Sequence, residues 1–208
     1  MEHFIELFLQ HTITFFAIIN PIGASALMLS VLHKDVSSQE IKEIAYKSTF
    51  TVIIAFFIVL AGGVFVLDVF GIDINSIKVI GGIILIIMSI QMIQGKTDDT
   101  NFKEKKSSDM CVVPIAIPII FGPALFTTII ILKGDSQSLG DIVPMVFAFL
   151  VNALAVYLIF KNSTYIKQYL GETGQNVISK IMGLIVGAIA VQFILSGSVT
   201  LVKIYSLI

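Results

Sequence analysis

Apolar residues fill this chain in six long blocks, at about 4–32, 41–66, 77–95, 110–132, 141–160 and 178–202. The polar interruptions between them are short, as at HKDVSSQE (33–40) and DSQSLGD (135–141). Unbroken runs such as Phe50–Val66, Val79–Ile93 and Ile181–Leu195 reach, with their flanks, the length that crosses a bilayer core of roughly 30 Å. The longest polar stretch, GKTDDTNFKEKKSSD (95–109), is charged and lacks apolar periodicity, so it reads as a solvated central loop. The pattern predicts an all-α polytopic membrane protein with six transmembrane helices. Its parts are a first three-helix repeat at 1–95, a loop at 96–109 and a second repeat at 110–208.

Composition agrees. Hydrophobic residues make up 56% and charged residues 13% of the 208 positions, where a soluble domain carries about 25% charged. Glu2 and Glu6 stand where a signal peptide would need Lys or Arg, so the first block is expected to be a retained helix. Cys111 is the single cysteine, which excludes an internal disulfide or a dithiol relay. Every basic residue is Lys, and the absence of Arg argues against phosphate or nucleic-acid recognition. Ten lysines fall on the side of the loops after blocks one, three and five, and three (Lys78, Lys133, Lys203) on the other. That bias predicts a cytoplasmic 96–109 loop with both termini outside.

The chain also resembles itself. At an offset of 101 residues, Ile80, Gly82 and Gln91 align with Ile181, Gly183 and Gln192. Three helices is an odd number, so the second copy enters the membrane from the opposite face, the inverted-repeat plan of many secondary transporters.

Blocks one and four are interrupted at corresponding places. Block one carries AIINPIGASA (17–26), with Asn20, Pro21 and Gly23; block four carries VPIAIPIIFGPALFTT (113–128), with Pro118, Gly122 and Pro123. Proline removes a donor and pushes the preceding residue off helical angles, and Gly23 is expected to take backbone angles that other residues avoid. Opened backbone inside lipid survives only beside protein or a water-filled cavity, so paired breaks near the midplane predict a binding site. The nearby polar side chains Thr127, Thr128, Gln91 and Gln192 complete the candidate substrate-binding set. Ser25 and Asn152 are also polar, Asn152 read as structural, and the two glutamines serve equally well as interhelical hydrogen bonds. No acidic or basic residue lies deep in a block, which suits a neutral or zwitterionic ligand held by helix ends. Glu6 and His11 are the candidate coupling-ion groups, with interfacial polar residues as the alternative. Gly62–Gly63, Gly81–Gly82, Gly183 and Gly187 read as close-packing positions, and the last two also as an oligomer contact.

The segments FFAIINPIGASALMLSVL (15–32), VFGIDINSIKVIGGIILIIMSIQMIQG (69–95), VPIAIPIIFGPALFTTIIIL (113–132) and IMGLIVGAIAVQFILSG (181–197) resemble the MarC family of integral membrane proteins. The resemblance implies a prokaryotic inner-membrane protein of six helices that carries small neutral amino acids such as alanine, glycine or serine. It places the family's motif positions at Asn20, Pro21, Gly23, Pro118, Gly122 and Pro123. Family members often have a further glycine after the Gly-Pro element; here Ala124 and the larger Leu125 follow.

The function expected is therefore secondary transport by alternating access, with a proton or sodium ion as coupling partner. No cofactor, metal or nucleic acid is expected, and a homo-oligomer is compatible. Catalysis is disfavoured, because His3, His11 and His33 are scattered and no HExxH occurs. The competing readings are an exporter of another small neutral metabolite or drug and a non-transporting scaffold.

Overall fold

A computed structural model describes residues 2–32, 36–95 and 120–206. The central loop 96–109, Cys111 and Pro118 lie outside the described residues. Those described are all-helical apart from turns and caps, with no strand. The helices are α1 (Glu2–Ile19), α2 (Pro21–Val31), α3 (Ser38–Phe70), α4 (Ile74–Gln94), α5 (Pro123–Asp135), α6 (Leu139–Lys161) and α7 (Ser163–Ser206). By length and apolarity five stretches are able to cross a membrane: Glu2–Val31, α3, α4, α6 and α7.

The ends follow from local chemistry. Ser37 and Glu40 form a capping box at the start of α3, and Asp73 caps α4 through the Asn75 amide at 2.7 Å. Gly71 and Gly95 close α3 and α4 in the left-handed conformation that glycine adopts without steric cost. At the start of α6 the Asp141 carboxylate accepts from the backbone and hydroxyl of Ser138. The helix of block six is longer than its apolar run: α7 begins at Ser163, fifteen residues before the expected 178, and bends at Gly171 (φ 62°). Its first turns are polar, so hydropathy does not reveal them.

Two seams hold the bundle. In the first, α6 lies between α1 and α3. Phe56 of α3 stacks on Phe149 of α6 with centroids 3.8 Å apart, and Phe15 of α1 meets Phe149 edge-on at 5.4 Å. Such aromatic pairs add about 0.5–1.5 kcal/mol beyond the area they bury. Asn152 of α6 is buried and donates to the Thr12 carbonyl of α1 at 3.1 Å, a cross-helix tie of the structural kind expected for it.

The second seam joins α4 and α7, the most extensive helix pair, and is built on glycine. A Cβ on Gly82 would lie 2.7 Å from the Ala190 carbonyl, and one on Gly197 would lie 2.6 Å from that of Asn75. Gly183 and Gly187 face Ser89 and Met92 of α4, and the Ser89 hydroxyl donates to the Gly183 carbonyl at 2.8 Å. Between lipid-soluble helices the gain comes from close approach, which these glycines permit. The Gly183/Gly187 pair is thus used inside the molecule. Because Asn75 meets Gly197 and Met92 meets Gly183, α4 and α7 run antiparallel. The shorter α5 packs across α3 and α4, with Gly63 against Ile130 and Gly81 against Thr127.

Candidate functional site

Asn20 separates α1 from α2. It sits in the left-handed region (φ 43°, ψ 62°) and is the one non-glycine residue with positive φ among those described. Asparagine tolerates this conformation better than other side chains, and Pro21 at the first position of α2 has no amide to leave unpaired. The Asn20 side chain then turns back on the helix it starts: Oδ1 accepts from the Gly23 amide at 3.4 Å. Its other end leaves the hairpin, for Nδ2 donates to Ser179 Oγ of α7 at 3.2 Å. One side chain thereby caps a helix and joins it to a neighbour 159 residues away in sequence.

Gly23 plays a different part from the one expected. Its backbone is helical within α2; the unusual angles fall on Asn20 instead. Its lack of a side chain is what matters. A Cβ there would lie 2.3 Å from Asn20 Nδ2 and 2.7 Å from Ser179 Oγ, so anything larger than glycine would break their hydrogen bond. Pro21 and Ser25 are buried beside them, and the Ser25 hydroxyl donates to the Ile22 carbonyl at 2.7 Å.

The second motif lies elsewhere. Gly122 is extended (φ −81°, ψ 175°) and caps α5, and Pro123 occupies its first turn and is exposed. Thr127 and Thr128 are buried, and their hydroxyls bond carbonyls of their own first turn: Thr127 to Pro123 at 3.0 Å and Thr128 to Ala124 at 2.8 Å. Thr127 stands against Gly81. Ser179 lies one turn before Gly183, which faces Met92, so it stands level with the last turn of α4 near Gly95. From Gly81 to Gly95 is about 20 Å at 1.5 Å per residue. The structure therefore brings Asn20, Pro21 and Gly23 together with Ser179, and sets Thr127 and Thr128 apart from them along the bundle.

The glutamines separate too. Gln91 is partly buried on α4, at the level of Gly183. Gln192 is exposed on the side of α7 opposite Gly183 and about 20 Å along the helix from Ser179. Glu6 is exposed and accepts from Gln10 at 3.4 Å, while His11 is buried within α1. A cavity lined by Val64, Leu67, Asp68, Asp73 and Gly134 lies at the far end of the bundle, where Lys78 pairs with Asp135 at 2.5 Å.

Sequence reasoning passed over Ser179 and Gln175. They stand four residues apart on α7, hence on one face, and Gln175 is 2% exposed with no partner for its Nε2. Leaving such a donor unpaired costs about 1–3 kcal/mol. Their spacing was the available signal, masked by the polar stretch in which they sit.

The sequence matches the model for MarC family integral membrane proteins over residues 5–202. The chain belongs to the MarC family. Among its relatives, a UPF0056 membrane protein of Aquifex aeolicus is 30% identical over 212 residues, spanning 98% of this chain and 97% of that protein. The UPF0056 membrane protein YvbG of Bacillus subtilis is 31% identical over 201 residues, covering 91% and 93% of the two chains. One from the archaeon Methanocaldococcus jannaschii is 29% identical over 190 residues, covering 88% and 91%. No solved structure matches. This MarC protein is thus an integral multi-pass membrane protein with bacterial and archaeal relatives, and in it the Asn20–Ser179 junction ties the helix break to α7.

Proposed function

We propose that this protein is a secondary transporter of small neutral amino acids, of the alanine, glycine and serine type, working by alternating access between two inverted three-helix repeats. The observation that carries the reading is the break at Asn20. A left-handed residue interrupts a membrane-length helix, and its amide, rather than being spent on the cap alone, reaches across to a second helix. Irregular backbone at such a place is tolerated beside a polar cavity and is costly against lipid. The first turn of α2 presents the positive end of a helix, which favours a carboxylate. No acidic or basic side chain contacts the Asn20–Ser179 pair among the described bonds, which suits a zwitterion over a charged solute.

The repeat is supported by matching parts. Ser37 with Glu40 and Ser138 with Asp141 stand 101 residues apart and start α3 and α6 in the same way. Pro21 and Pro123 open α2 and α5. The helix α2 packs on α7 as α5 packs on α4, and α4 lies antiparallel to α7. The lysine bias favours a prokaryotic inner-membrane orientation with residues 96–109 in the cytoplasm. A coupling proton would fall to the buried His11 before the exposed Glu6.

Uptake and exchange of labelled alanine in proteoliposomes, with and without proton and sodium gradients, tests this. Saturable flux competed by glycine and serine is expected. Folded protein that moves none of the three under any gradient would leave another neutral solute, or a scaffold, as the better reading.

A further inference from the structure

Four buried side-chain atoms among the described residues lack a hydrogen-bond partner: Ser48 Oγ, Thr49 Oγ1, Ser163 Oγ and Gln175 Nε2. A serine or threonine hydroxyl on a helix is able to turn toward a carbonyl of the preceding turn, as Thr127 and Ser25 do here. A glutamine amide has no such local recourse. Gln175 is 2% exposed, so water does not satisfy it from outside. A buried donor without a partner calls for an occupant.

Its position says which. Gln175 lies one turn before Ser179 on the same face of α7, beyond the bend at Gly171, so its Cβ stands about 5–6 Å from that of Ser179. Ser179 Oγ accepts from Asn20 Nδ2, which leaves the serine O–H free to donate and polarises it to do so. Two donors thus stand one turn apart on a single helix face, an O–H and an N–H, and the first of them lies against the start of α2. A carboxylate, whose two oxygens each accept a hydrogen bond, bridges donors at that separation.

We propose that Gln175 is a substrate-binding residue of this transporter, donating through Nε2 to the carboxylate of the amino acid while Ser179 Oγ binds the second oxygen and Asn20 positions Ser179. The assignment rests on the transporter reading above and deepens it. It moves the carboxylate subsite onto α7, one turn from the helix break, and it predicts that the free carboxylate is what the site selects.

The test uses the full-length protein in proteoliposomes, with labelled L-alanine as substrate and unlabelled L-alaninamide as competitor, comparing wild type with Gln175→Leu. Leucine keeps the volume and removes the unpaired amide. A KM for alanine raised ~10-fold or more is expected, the size of a lost hydrogen bond to a charged group. The thermal midpoint in detergent should be unchanged or higher, because an orphaned donor has been removed from the interior. Alaninamide should compete poorly in wild type, and the preference for alanine over it should shrink in the variant. A KM within twofold of wild type, or wild-type discrimination against alaninamide retained by the variant, would overturn the assignment. Gln175→Met gives the same comparison if the leucine variant does not purify folded. Absence of alanine flux in the wild type would fail the transporter reading itself, an outcome distinct from flux that ignores Gln175.

Discussion

Asn20 does two jobs that different substitutions separate. Its backbone holds the left-handed turn and its amide spans Gly23 and Ser179. Asn20→Gly keeps the backbone freedom and deletes the amide, whereas Asn20→Ala also forces an ordinary side chain into a conformation that costs it about 1–2 kcal/mol. We expect the glycine variant to melt close to wild type and lose most alanine transport, and the alanine variant to lose transport and melt lower. Thermal midpoints in detergent beside proteoliposome flux measure both; full transport by Asn20→Gly would remove the amide from the site. Gly23→Ala should resemble Asn20→Gly in flux, because its Cβ would lie 2.3 Å from Asn20 Nδ2 and displace that amide from Ser179. The Asn-Pro-x-Gly string was legible as a helix break in the residue letters. Which residue bore the strain was not: proline restricts its predecessor, but that Asn20 is left-handed while Gly23 stays helical depends on where α7 lies.

Among the elements, α4 and α3 show how one residue type serves opposite ends. A Cβ on Gly82 would lie 2.7 Å from the Ala190 carbonyl, backbone that cannot swing aside, so Gly82→Val should cost about 1–3 kcal/mol or more by overpacking. Gly62, with nothing within 4 Å of its would-be Cβ, should accept alanine and gain about 0.5–1 kcal/mol from the helix preference. Thermal unfolding of the two variants in one detergent checks the pair, and equal midpoints would show that the seam is not close-packed. Glycine spacing in the letters marked both as packing positions; only the neighbour across the gap tells them apart. The helix α7 makes the same point about boundaries, since its polar opening turns carry no apolar signal.

For the whole molecule, the outward residues are those a lipid would meet: Ile58, Phe65, Phe147 and Leu184 are large, apolar and exposed. A bilayer rewards such a surface, and a lysine stem at its rim is able to snorkel to water. On the proposed orientation, which puts the 96–109 loop in the cytoplasm, a cysteine introduced as Ser107→Cys in a Cys111→Ser background should react with a membrane-impermeant maleimide only after the membrane is opened. Labelling of intact spheroplasts would reverse the orientation.

The all-helical, membrane-crossing character and the interruption at Asn20-Pro21 are written in the residues, because hydrophobic run length and proline geometry are local and survive without knowledge of neighbours. Partnership is not local. That Asn20 binds Ser179, that Gln192 faces outward while Gln91 is partly buried, and that Thr127 stands about 20 Å from Ser179 along the bundle all follow from how α4 and α7 cross. Helices uniformly rich in isoleucine and leucine give no hint of which face meets which. The choice is made by a few glycines whose missing side chains let two backbones touch.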